Sequence, residues 1–220
     1  MACAFFNKII TAFYPDRCLL CGEVVKSGLL CCPKCAQALP FLEEKGAAVH
    51  HEDPFSKISA PFWYKDGVRH AIGQMKFYGR KDAAKFFVPY MVQALEDFSP
   101  EWVVPVPMAE HRRKERGYNQ AELLAEPIAG LLSAEYHPEV LARVGSVAQH
   151  DLSARLRRLE ANHSFVLANG ASPAGKRILL VDDVFTTGST LRRCAWLLKD
   201  AGASEVVCLT IAVTPRFQQD

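Results

Sequence analysis

The stretch that decides the fold is "ILLVDDVFTTGST", residues 178–190: four apolar residues, two adjacent carboxylates, then hydroxyls gathered around one glycine. A short, nearly continuous apolar run reads as a central parallel strand covered on both faces. In such a sheet ligands bind beyond the carboxyl ends of the strands, which is where Asp182 and Asp183 fall. The loop after them offers backbone N–H groups and the hydroxyls of Thr186, Thr187, Ser189 and Thr190, and Gly188 permits an approach that a side chain would block. Leu191, Cys194, Trp196, Leu197, Leu198 and Ala201 predict a helix that starts near Thr190 and stops at Gly202. Its free N–H groups and positive dipole end favour a phosphate. The two acids cannot hold that phosphate, because like charges in one site repel. Ribose hydroxyls donate to carboxylates, so a ribose 5-phosphate would satisfy both halves of the stretch. The competing reading, a turn in which Asp and Ser only cap the helix, accounts for one such residue and not for the whole run.

On either side the pattern alternates. "EWVVPVP" (101–107) predicts a strand, "NQAELLAEPIAGLL" (119–132) a helix, "EVLARV" (139–144) and "HSFVLA" (163–168) strands, and "EVVCLTIAV" (205–213) one further strand. Strands alternating with helices of this length imply βαβ units, hence an α/β fold with a parallel sheet and flanking helices. "GASPAGKR" (170–177) matches part of a nucleotide-binding phosphate loop, but Arg177 follows the lysine where Ser or Thr is required, and a strand follows instead of a helix. An ATPase is therefore excluded.

Six of the eight cysteines lie before residue 36. This marks residues 1–40 as a Cys-rich head; 41–99, with aromatic clusters "PFWY" and "KFYGRKDAAKFF", follow as a connecting, hood-like region, and 100–220 form the α/β domain. Cys18-Leu-Leu-Cys21 and Cys32-Pro-Lys-Cys35 are two C-x-x-C knuckles, able to close a four-sulfur zinc site and fold a segment too small for its own core. Cys31 is an alternative partner to Cys35; Cys32 matches the spacing of the first knuckle. A closed four-sulfur site leaves no position for water, so the metal is expected to be structural.

The balance of 26 basic and 24 acidic residues gives a net charge of +2, which alone does not imply nucleic acid. The positive charge is uneven, with clusters at "HRRKERG" (111–117) and "RLRRLE" (155–160). No apolar run approaches the roughly 20 residues that span a bilayer, so membrane insertion is not expected. The N-terminus "MACAFFNKII" carries Lys8 within its apolar part and has no small-residue cleavage site; with Phe5, Ile9 and Phe13 four apart it reads as a short amphipathic segment and not as a secretory signal. Eight cysteines without such a signal fit reduced thiols or metal ligands in a cytoplasmic protein.

The signature at 178–190 resembles the phosphoribosyl diphosphate motif of type I phosphoribosyltransferases. Together with the cysteine knuckles, "QMKFYGRKD" (74–82), "VVPVP" (103–107) and "RGYNQAELLA" (116–125), it looks like the ComF family of bacterial competence-type proteins, which includes GntX-like members. The resemblance covers most of the chain and implies a type I phosphoribosyltransferase-like domain behind a zinc-binding head. It implies that Asp182 and Asp183 hold the ribose hydroxyls and that Thr186, Thr187, Gly188, Ser189 and Thr190 hold the 5-phosphate. "VVPVP" falls where these enzymes place a pyrophosphate loop, making Arg112 and Arg116 candidates for pyrophosphate, with Lys76 and Arg80 as possible additions to the anion site. That loop is long and proline-bounded here, a departure from the short, glycine-containing loop of the enzymes, and it bears on turnover more than on binding. Residues 145–163 correspond to a mobile loop, with Arg155, Arg157 and Arg158 as its candidates.

Two functions follow from the resemblance. One is a magnesium-dependent transfer of a phosphoribosyl group with displacement of pyrophosphate. The other is handling of single-stranded DNA in DNA uptake, with Trp63, Tyr64, Phe77 and Tyr78 as stacking candidates and the phosphoribosyl pocket as a sensor. No residue stands out as a general base, and no acceptor is indicated.

Overall fold

The computed structural model describes residues 15–143 and 165–215. Strand β1 (Gly46–Ala47) pairs antiparallel with β2 (Lys57–Ser59) at one edge of a six-stranded sheet. From β2 the sheet runs in parallel through β10 (Glu205–Leu209), β8 (Arg177–Val181), β4 (Trp102–Pro105) and β5 (Glu135–Tyr136). Residues 41–99 thus feed the main sheet as well as the helices beside it.

Alternation along the strands divides the core in two. Val103, Leu179, Val181, Val207 and Leu209 face one cluster; Val104, Ile178, Leu180, Val206 and Cys208 face the other. The first cluster is closed by α2 (Asp66–Phe77), α3 (Asp82–Ala94) and α5 (Gln120–Leu132), whose buried residues recur every three or four positions. The second is closed by α6 (Ser189–Asp200) through Leu191, Cys194, Ala195 and Leu198. Both faces of the sheet are therefore covered, which is why its strands read as apolar runs.

Three central strands break at the same level and resume as a small parallel sheet. It comprises β3 (Phe62–Trp63), β11 (Ala212–Val213) and β9 (Val184–Phe185). The run 205–213, expected as one strand, is interrupted at Thr210 and Ile211. Asp182 N–H donates to the Leu209 carbonyl and Ile211 N–H to the Asp183 carbonyl, each at 3.0 Å, so the pairing steps from one sheet to the next across the break. The Thr210 hydroxyl donates to the Ala212 carbonyl at 3.3 Å within the bend, and Pro61, which has no N–H to give, occupies the bend of the neighbouring strand. The strands expected within 139–144 and 163–168 are present as β6 (Leu141–Arg143) and β7 (Phe165–Leu167), and they form a separate antiparallel pair outside the main sheet.

The cysteine head, which carries the short helix α1 (Pro33–Gln37), packs directly on the first cluster, with Cys18, Leu19, Leu20 and Leu39 buried in it. At Gly67, in the first turn of α2, a Cβ would lie 2.7 Å from Leu20 Cβ, so glycine is what lets the head approach this helix. No helix among the described residues is long and apolar enough to cross a membrane.

Candidate functional site

The strand break sets the acids. β8 ends at Val181, and the bend turns Asp182 and Asp183 into a cleft of about 300 Å³ at the carboxyl ends of β4 and β8. Asp182 Oδ1 accepts the backbone N–H of Asp183 at 2.8 Å. Burial, and then the charge of Asp183, push the Asp182 carboxyl up to about 7. Lys76, near the end of α2, reaches in from the other side, its Nζ 2.9 Å from each Asp183 oxygen, with both side chains mostly buried. Lys76 therefore lines the expected cleft but is paired with an acid. Arg80 does not line it: its guanidinium binds Asp82 at 2.8–3.3 Å, at the start of α3.

Beyond β9, the hydroxyl loop encloses a smaller hollow of about 40 Å³ lined by Thr186, Gly188, Ser189 and Thr190, with Asp182 at its edge. Gly188 has φ 71° and stands at the N-cap of α6, which no side chain caps. A Cβ there would lie 2.6 Å from the Phe185 ring and 2.8 Å from Arg192 Nη1, so the left-handed conformation and the close packing both require glycine. The Thr187 and Ser189 hydroxyls are 3.0 Å apart, and Ser189 N–H donates to Thr187 Oγ1 at 3.4 Å. These contacts curl the loop around the N-terminus of α6, where the helix dipole favours an anion.

The facing wall is cationic. Arg112 and Arg116, on α4 (Glu110–Arg116), line the cleft, as expected from their position after "VVPVP". Asn119 caps α5 by accepting Ala121 N–H at 3.1 Å, while its Nδ2 donates to the Val106 carbonyl at 2.9 Å, fixing the loop after β4 to the helix. Arg116 Nη1 donates to Gln120 Oε1 at 3.1 Å. This orients the Gln120 amide and leaves its Nε2 with no hydrogen-bond partner among the described residues. Arg143, at the end of β6, also lines the cleft; burial and the nearby charge of Arg112 lower its pKa. Sequence reasoning missed Asn119, Gln120 and Arg143 as cleft residues. The cap was legible as an Asn before an apolar-periodic helix, whereas nothing in "LAR" separates a cleft arginine from a solvated one.

Of the aromatic candidates, Phe77 and Tyr78 are 70% and 73% exposed, and the Phe77 ring lies 5.1 Å from the Arg116 guanidinium at the cleft rim. Trp63 and Tyr64 pack against the two core clusters. Arg155, Arg157 and Arg158 lie outside the described residues, as do Phe5, Ile9 and Phe13.

In the head, Cys18, Cys21, Cys32 and Cys35 bring their sulfurs within 4.8 Å of one another. The Cys21 and Cys32 sulfurs are 3.9 Å apart, close to the edge of a tetrahedron with zinc–sulfur bonds of about 2.3 Å. Cys32 N–H points to Cys18 Sγ and Cys35 N–H to Cys32 Sγ, both at 3.4 Å, bonds that favour thiolates. Cys31 is outside the set: its Sγ turns to the Cys32 carbonyl at 3.3 Å, and burial holds its thiol up at about 12. The four-sulfur arrangement fits a structural zinc.

The Phosphoribosyl transferase domain family matches residues 116–217, and the Double zinc ribbon domain family matches residues 9–47. The chain is 30% identical over 200 residues to the DNA utilization protein YhgH of Salmonella typhimurium, covering 86% of each chain. It is 28% identical over 212 residues to Competence protein F of Haemophilus influenzae, covering 93% of this chain and 86% of that one. Competence protein ComFC of Streptococcus pneumoniae is 27% identical over 226 residues, covering 86% of this chain and 96% of the relative. Among solved structures, adenine phosphoribosyltransferase from Rhodothermus marinus aligns over 63% of this chain and 81% of its own, at 17% identity and a TM-score of 0.43.

Proposed function

From the chain's membership of the ComF family of phosphoribosyltransferase-like proteins, we propose that it binds phosphoribosyl diphosphate in the cleft and serves DNA uptake through that site. The observation that carries this reading is the convergence of three unlike groups on one cleft: acids at the strand break, a hydroxyl loop at a helix N-terminus, and arginines on the facing wall. Asp182 and Asp183 accept the ribose hydroxyls, and Thr186, Thr187, Gly188, Ser189 and Thr190 receive the 5-phosphate. Arg112 and Arg116, with Arg143 beside them, face the diphosphate, whose charge relieves the crowding between Arg112 and Arg143. Lys76 holds Asp183 until the ribose arrives, then is free to meet the diphosphate. Magnesium would enter with the diphosphate oxygens, near Asp182 and Asp183, and supply neutralisation of the leaving group. Transfer would break the bond from ribose C1 to the diphosphate oxygen and form one from C1 to an incoming nucleophile.

A second reading, contact with single-stranded DNA, is supported by two exposed rings adjacent in sequence, Phe77 and Tyr78, the first of which lies beside Arg116 of the cleft wall. Such rings stack bases while nearby cations follow the phosphates.

Pyrophosphate release with candidate acceptors, and single-strand binding across a salt series, each repeated with Asp183→Ala, test both readings. The expected result is loss of phosphoribosyl diphosphate turnover or binding in the variant, with salt-dependent strand binding in the wild type. A wild-type protein indifferent to phosphoribosyl diphosphate overturns the first reading; strand binding without salt dependence overturns the second.

A further inference from the structure

Arg192 lies one turn into α6, beneath the hydroxyl loop, and lines neither the cleft nor the smaller hollow. Its Nη1 donates to the Thr187 carbonyl at 2.6 Å. Its Nε donates to Asp53 Oδ1 at 2.5 Å, and Nη2 lies 3.5 Å from Oδ2. The Asp53 side chain is only 5% exposed although it stands far from this loop in sequence. It is itself held: Oδ2 accepts His50 N–H at 3.0 Å, and Asp53 N–H donates to the His50 carbonyl at 2.9 Å. The buried Phe55 ring lies 6.0 Å from the guanidinium.

This geometry has a direct bearing on phosphate binding. A cradle works when its N–H groups point inward and its carbonyls point away, because an inward carbonyl repels the phosphate oxygens. The Thr187 carbonyl is the one that Arg192 holds. An arginine has considerable rotamer freedom, and a bidentate carboxylate fixes its fork in one plane.

We propose that Asp53 is a positioning residue of the phosphate loop, acting through Arg192 to keep the Thr187 carbonyl turned out of the cradle that takes a 5-phosphate. The proposal rests on the ribose phosphate reading above, and it assigns to the 48–56 segment a part in ligand binding. The effect is specific to ligands that carry a 5-phosphate, because a diphosphate without a sugar meets the arginine wall instead.

Calorimetric titration of the zinc-loaded full chain with ribose 5-phosphate and, separately, with inorganic pyrophosphate tests it. Asp53→Ala is expected to weaken ribose 5-phosphate by about 10- to 100-fold, the scale on which small misplacements of a positioned group act. Pyrophosphate affinity is expected to stay within about twofold, since none of its contacts moves. Arg192→Met, which keeps the apolar stem but has no donor for Asp53 or for the Thr187 carbonyl, is expected to show the same selective loss, and it serves if Asp53→Ala does not fold. Wild-type affinity for ribose 5-phosphate in either folded variant overturns the proposal, as does an equal loss for both ligands. If the wild type binds no ribose 5-phosphate, the ribose phosphate reading falls first and the proposal with it.

Discussion

Asp182 and Asp183 are neighbours in sequence but not equivalents. Asp183 has a cation, Lys76, at 2.9 Å, while Asp182 accepts a backbone N–H at 2.8 Å and is governed first by burial and its neighbour's charge, with Lys76 a lesser influence. The pair read as two identical ribose ligands from sequence; the difference between them depends on Lys76, which arrives from more than a hundred residues away and left no local signal. The consequence is a pH dependence. Burial raises the Asp182 pKa from its ordinary value of 3.8 to about 7, so between those limits the folded chain binds more protons than the unfolded one. Stability attributable to this group therefore falls as pH rises through that window. Urea denaturation at pH 5 and pH 8 checks it: Asp182→Asn should gain stability relative to the wild type at pH 8 and much less at pH 5. An equal effect at both pH values would show that Asp182 is an ordinary carboxylate. Gly188, by contrast, was legible at once, because its place between hydroxyls required close approach; the structure adds that Phe185 and Arg192 fill the space where its Cβ would be.

At the scale of elements, the zinc head and helix α2 behave as one piece. Leu19 and Leu20, between the two cysteines of the first knuckle, are buried in the same cluster as Val68, Ala71, Ile72 and Met75 of α2. That helix carries Lys76 into the cleft, so the head buttresses the element that neutralises Asp183. Removing zinc with a chelator should therefore destabilise the whole chain in a single urea transition, by at least about 2 kcal/mol, the lower end for uncovering a buried leucine. Zinc quantified as absent with an unchanged midpoint would separate head from body. Spacing made the four ligands legible, and the choice of Cys32 over Cys31 follows it; the docking of the head did not show in sequence, since apolar residues in a metal loop do not name their partner. The strand run 205–213 was legible as buried but not as broken, because hydrophobicity is continuous through Thr210 and the break depends on hydrogen bonds to Asp183 and Ser59. Likewise, "LAR" and "FVL" read as strands, while their antiparallel pairing outside the main sheet is a matter of topology that period alone does not fix.

For the molecule as a whole, the α/β architecture follows from alternation of strands and helices, and the cleft follows from where one strand ends. What the chain folds around that point is less regular: a cationic wall from α4 and β6, an amide at Gln120, a clamp from Asp53, and a rim with Phe77 and Tyr78 exposed. Acids and arginines line one cleft of about 300 Å³, an arrangement suited to the proposed ligand, a sugar with hydroxyls along one edge and phosphate groups at both ends. The measurement that tests this most directly is calorimetric titration of the zinc-loaded protein with phosphoribosyl diphosphate and magnesium. One ligand is expected to bind per chain, with affinity lost in Asp183→Ala while the zinc content is unchanged. No heat of binding in a folded, zinc-loaded wild type, or binding that survives Asp183→Ala undiminished, would contradict it.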